Sequence, residues 1–214
     1  MRASASQDRA RIAELHVYLG DLQLVRADRP AAGEHYKLAA DVAESIGLRK
    51  IWVLAMIRLA YAAFDRSDES ELFRLLGRAL QRCEQLHDQE GEYQVRAHVI
   101  YAQLLLYGFP LKGETFSALL SSVEEAGITK ANVLCYLFRA DVAAARGNWA
   151  EARDFLRYAH VGAAQIGDYA LFIPIARRTY LVQKESGQLG DPHAGAGHAI
   201  GAMIPPEVGK RRFE

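Results

Sequence analysis

Apolar residues along this chain recur at steps of three and four, the spacing of amphipathic helices, and the stretches that carry them are separated by short polar or glycine-containing breaks. Ile12, Leu15, Leu19, Leu22 and Val25 make the first stripe and predict a helix from about Asp8 to Arg26. Ala27-Asp28-Arg29-Pro30 interrupts it. Asp28 suits the N-cap of the next helix and Pro30 its first turn. That helix carries Tyr36, Ala39, Ala40, Ala43 and Ile46 on one side, and Gly47 ends it. The alternation continues with Trp52, Met56, Leu59, Ala60 and Ala63, a turn over Asp65 to Asp68, and a returning face of Leu72, Leu75, Leu76, Ala79, Leu80 and Cys83. Val95, Val99, Ala102 and Leu106 then lead to a longer break from Gly108 to Gly113 and back through Phe116, Leu119, Leu120 and Val123 to Gly127. Thr129 is a candidate cap before Val133, Leu134, Leu137 and Ala140; Gly147-Asn148 turns the chain, and Phe155, Leu156 and Ala159 return to Gly167.

A fifth pair opens near Asp168 with Leu171, Ile175 and Tyr180. Its second helix is expected to be short, near His193 to Met203, because Gly187, Gly190, Gly195, Gly197 and Gly201 crowd it and each interior glycine costs about 1 kcal/mol relative to alanine. The expected organisation is one all-α domain over residues 1–204, with helix pairs near 8–47, 49–90, 91–127, 129–167 and 168–203, followed by a flexible tail, 205–214.

The pairs share a motif that returns every 38 to 42 residues: a small residue in a first helix, a short turn, then a small–aromatic–small face in a second. Gly20 with Ala32, Tyr36 and Ala39 is one clear copy, and Ala140 with Ala152, Leu156 and Ala159 another. Small residues at a helix crossing let backbones approach, so Ala32 is expected against Gly20 and Ala152 against Ala140. Leu19-Gly20, Pro30, Ala32, Tyr36 and Ala39, with Ala140, Gly147-Asn148-Trp149-Ala150, Ala152, Leu156 and Ala159, resemble the tetratricopeptide repeat family over roughly residues 10 to 200. The resemblance implies a right-handed superhelix of antiparallel helix pairs, about nine to ten helices in all. The spacing exceeds the family's usual ~34 residues and is similar to that of the longer repeats in bacterial signal-responsive regulators.

Composition adds exclusions. Twenty-six basic residues balance 26 acidic ones among 214, which disfavours a general nucleic-acid role. The N-terminal residues show no apolar signal core and no run is long enough to span a membrane, so a cytoplasmic protein is expected. Cys83 and Cys135 read as core thiols, with one disulfide between them as the alternative. The seven histidines form no metal-ligand run, and His193 and His198 offer at most a labile contact. Arg74, Arg78 and Arg82 share a helix face that suits phosphate or an acidic protein, in competition with local pairing to Glu71. No cofactor or catalytic constellation is expected.

First helices of stacked pairs commonly line the open, concave side of such an array. The corresponding candidate surface here is Asp21, Tyr61, Arg96, Gln103, Tyr107, Asp141 and Arg177, with Glu14 and Ile57 beside them. Arg96 and Arg177 could clamp a carboxylate, and Tyr61 and Tyr107 could give rigid amphipathic contacts. Trp52 and Trp149 read as packing residues. The expected function is a non-enzymatic adaptor or scaffold for a protein or peptide partner. The alternatives are a sensor domain for a small molecule or signalling peptide, and a self-assembling repeat protein.

Overall fold

The computed structural model describes residues 2–108, 115–127 and 129–187. Among these residues the chain is all-helical. It runs α1 (Arg2–Val25), α2 (Arg29–Ser45), α3 (Arg49–Phe64), α4 (Glu69–Gln85), α5 (Gln89–Tyr107), α6 (Phe116–Ala126), α7 (Lys130–Ala145), α8 (Trp149–Ile166), a 3-10 turn (Tyr169–Leu171) and α9 (Phe172–Glu185). The expected short helix near His193 to Met203, the tail 205–214 and most of the Gly108–Gly113 break lie outside the described residues.

One turn geometry is reused along the chain. Residues with positive φ fall at Ala27, Gly47, Ser67, His87, Gly108, Gly127, Gly147, Gly167 and Gly187, a step of 20 residues displaced by one at Gly108. Each helix plus its turn is therefore one 20-residue unit, and each helix pair is a 40-residue repeat. After the left-handed residue, the next N–H reaches back to a carbonyl five positions earlier: Asp28 to Gln23, Leu48 to Ala43, Asp68 to Ala63, Asp88 to Cys83, Asn148 to Ala143 and Asp168 to Ala163. This is the Schellman closure, which satisfies a terminal carbonyl that the helix leaves open. Asp28, Asp68 and Asp88 then cap the following helix by accepting the N–H of Ala31, Glu71 and Gly91. At α7 the device is reversed: the buried Asn132 Oδ1 accepts the Thr129 N–H at 2.8 Å, half of a capping box. Ala27, Ser67 and His87 hold the left-handed position without being glycine, at a cost of about 1–2 kcal/mol each.

The chain divides into two compact units, Met1–Cys135 and Tyr136–Glu214, the division falling within α7. In the first unit α1 to α6 each pack on the next in sequence, and the first helices also touch, α1 on α3 and α3 on α5. This sequential packing is that of a helical repeat array. Its core is Val53, Met56, Ile57, Leu72, Leu75 and Leu76 with a floor of alanines at 39, 43, 55, 60, 63 and 79. In the second unit α8 packs on α9, and Arg139 of α7 lies over the Phe155 ring of α8 at 4.2 Å.

Two expectations about inward faces are corrected. In α1 the buried residues are Ala13, Val17 and Gly20, whereas Ile12, Leu15, Leu22 and Val25 are exposed. The small residues face α2 because they allow close approach. The apolar side chains on the other faces meet solvent. At Gly20 the atoms nearest to where a side chain would begin are those of the Tyr36 ring. In α9 Ile175 and Val182 are buried and Tyr180 is exposed.

Candidate binding surface

The first helices of the first unit are joined by side-chain bonds at one constant interval. Asp21 of α1 pairs with Arg58 of α3, 37 residues on, and Tyr61 of α3 meets His98 of α5, again 37 residues on. The same interval separates Asp141 of α7 from Arg178 of α9 in the second unit. The interval follows from the 40-residue repeat. Moving three residues less than a full repeat lands on the facing side of the next first helix, one turn back. Asp21, Tyr61 and Asp141 thus occupy one place in the repeat, and Arg58, His98 and Arg178 another. Residues of the first set were recognisable as candidates from sequence. Their partners were missed, and a 40-residue alignment of the chain with itself was the signal that identifies them.

Asp21 is bonded from two helices. The Tyr36 hydroxyl of α2 donates to its Oδ1 at 2.7 Å, and Arg58 Nη2 donates to Oδ2 at 3.4 Å. Arg58 Nε lies 3.1 Å from Oδ1, but its N–H is not aligned to donate, so that approach is ionic contact only. Burial, and then the bond to Asp21, push the Tyr36 phenol well above its usual range, so it remains a neutral donor. Tyr61 and His98 meet at 3.0 Å between the hydroxyl and Nδ1, with the rings edge to face at 5.4 Å. Asp141 accepts Arg178 Nε on both oxygens, at 2.8 and 3.0 Å.

The remaining candidates stand as follows. Arg96 donates to Glu92 of its own helix at 3.3 Å and lies 5.9 Å from the Tyr93 ring centre. Gln103 is half-buried on α5. Tyr107 stacks on Phe73 of α4, with ring centres 6.4 Å apart. Arg177 is exposed on α9, and Glu14 is exposed on α1, whereas Ile57 is core. Arg96 and Arg177 belong to different units. Of the three spaced arginines, Arg74 forms a two-pronged bond to Glu71 at 2.6 and 2.7 Å, which holds the Glu71 carboxyl below its usual range, and Arg78 approaches Glu44 at 3.7 Å.

Cys83 and Cys135 are both buried and not disulfide-bonded, and burial pushes the Cys83 thiol up to about 11. Trp52 is core, and Trp149 is half-buried. His16 and His35 meet through their Nδ1 atoms at 3.1 Å across α1 and α2, so one must donate and the other accept. Burial, and then the His35 charge, lower the His16 value from 6.5. The folded state therefore binds this proton more weakly than the unfolded chain. The stability contributed is complete above about pH 6.5 and falls as the pH drops toward the lowered folded value. Urea midpoints should thus decrease from pH 7 to pH 5, and the decrease should be shallower in His16→Gln. Equal slopes for the two proteins would show that this contact does not govern the acid response.

Among the described residues no group of three His, Cys, Asp or Glu side chains is placed to hold a metal ion, and no helix is long and apolar enough to cross a membrane. Compared with known proteins, the chain matches no family model, and no curated protein matches it in sequence.

Proposed function

We propose that this chain is a non-enzymatic adaptor or scaffold of tetratricopeptide type, which binds a protein or peptide segment along a concave row of first helices. The observation that carries this reading is the lateral bonding of that row in the first unit: Asp21 to Arg58 and Tyr61 to His98. These bonds fix part-exposed polar and aromatic groups in place before a partner arrives. Ordering flexible side chains costs roughly 0.5–1.5 kcal/mol each on association, so a surface already ordered loses less affinity. The adjacent Arg96 and Gln103 extend the same helices' polar content, and both charge signs are present for a mixed segment.

Affinity capture from native extract tests the reading, with Tyr61→Ala, Arg96→Glu and Arg177→Glu as comparison proteins. A partner held by the parent chain should be lost by the first-unit variants while their helical circular dichroism is unchanged. A partner retained by all three folded variants would remove this surface from the function.

Self-association is the second reading, and one observation favours it. α1 exposes Ile12, Leu15, Tyr18, Leu22 and Val25, an apolar face. Such a face is complementary to another copy's apolar surface. A mass that stays monomeric across a hundredfold range of concentration would eliminate it.

A further inference from the structure

Along α1 the residues Asp8, Ile12, Leu15, Leu19, Leu22 and Arg26 follow one another at alternating steps of four and three. This is the heptad spacing of a two-stranded helical seam. The Arg26 N–H still reaches the Leu22 carbonyl, so the helical register holds to the end of the stripe. The stripe lies on the side of α1 away from the buried Ala13, Val17 and Gly20. In the later first helices the same places are covered. Leu15 is 55% exposed, whereas its counterparts at 40-residue steps, Ala55, Val95, Cys135 and Ile175, are at most 1% exposed. Leu22 is 44% exposed, and its counterparts Ala62, Ala102 and Val182 are at most 4% exposed. The helix before each of α3, α5 and α9 packs on it. Among the described residues α1 packs on α2 and α3, which both come after it.

We infer that this stripe is the seam of an antiparallel, two-fold dimer, in which the α1 helices of two copies of the chain pack on each other. Side-chain size separates such a seam from a further step of the array. In α3 the array closes on Ala55 and Ala62, which let the backbones approach. α1 carries leucines at both places, the side chains that fill a two-stranded seam. Charge selects the partner and its direction. The stripe begins on Asp8 and ends on Arg26, and both are exposed. In a parallel pair each would meet its own like charge. In an antiparallel pair with Asp8 opposite Arg26, both ends are complementary, Ile12 meets Leu22 of the second copy, and Leu15 meets its Leu19. One surface is then complementary to itself, as a two-fold interface requires. The ends of the stripe lie about 27 Å apart along the helix axis, so the two ion pairs flank an apolar centre from both sides. The inference rests on the self-association reading and gives it a surface, a direction and a stoichiometry.

Sedimentation equilibrium of the full chain tests it. The mass should rise from one copy to two with concentration and stop there. Leu15→Glu and Leu22→Glu, both at exposed positions, should each hold the protein at one copy with unchanged helical circular dichroism. Asp8→Arg should weaken the dimer about tenfold, because both ends then oppose two arginines, and Arg26→Asp should weaken it as much by opposing two aspartates. Mixed together, these two proteins should associate with each other at the parent's affinity, since each end again holds one aspartate and one arginine. A parent protein that stays at one copy throughout would overturn both the seam and the self-association reading. A dimer that survives in Leu15→Glu and Leu22→Glu would keep that reading and remove the seam. Masses beyond two copies would overturn the two-fold pairing in favour of an open head-to-tail chain. Charge variants as tight as the parent, or no recovery on mixing, would overturn the antiparallel order.

Discussion

Tyr36→Ala should destabilise the protein by about 3–5 kcal/mol, the range for removing a large buried aromatic ring. The ring has no exposed surface, and it fills the gap between α2 and the backbone of α1 at Gly20. The other buried residues of α2 are all alanines, Ala32, Ala39, Ala40 and Ala43, too short to fill the space the ring would leave. Tyr36→Phe separates the hydroxyl from the ring. It keeps the packing and removes one donor from a carboxylate, a loss of about 1.5–3 kcal/mol for such a bond when sheltered. Asp21 is 40% exposed at its side chain and retains Arg58, so the loss belongs near the lower end. Urea unfolding of the three proteins, followed by near-ultraviolet circular dichroism, checks both values. A phenylalanine variant as stable as the parent would mean that the Asp21 bond contributes nothing in solution.

The fold was legible because the punctuation is written in residues with few other uses. Asp28 with Pro30, Asp65 to Asp68, Gly147-Asn148 and Gly167 each mark a turn, and the structure closes a helix at every one. The regular 20-residue step was less visible, since Ala27, Ser67 and His87 take the left-handed position that glycine takes elsewhere. Periodicity also misassigned the face of α1. Counting apolar side chains favours Ile12, Leu15 and Leu22, but at a close helix crossing the buried residues are the small ones, Ala13 and Gly20. A surface position such as Asp21 or Tyr61 can be named from its helix face alone. Its partner on the next first helix lies 37 residues away, and only the repeat register connects the two.

Gly20→Ala should destabilise by about 2 kcal/mol, opposite in sign to the usual effect of that substitution in a helix. Glycine in a helix interior is ordinarily about 1 kcal/mol worse than alanine. At Gly20 a Cβ would run into three ring carbons of Tyr36, Cε1 and, at 2.7 and 2.8 Å, Cδ1 and Cζ. The ring cannot rotate away, because it is fully buried and its hydroxyl is bonded to Asp21. Overpacking of this kind costs about 1–3 kcal/mol and, at such distances, the upper end outweighs the propensity gain. The second unit contains the complementary solution: Ala140 stands where Gly20 does, and Leu156 where Tyr36 does. Gly20→Ala/Tyr36→Leu copies that pair into the first unit. Its two substitutions touch the same space, so their effects should not add, and the double variant should be more stable than the sum of the single variants predicts by at least about 1 kcal/mol. Additive losses in a denaturation cycle of the four proteins would show that Gly20 and Tyr36 act independently, and that the two units do not exchange packing solutions as their shared register implies.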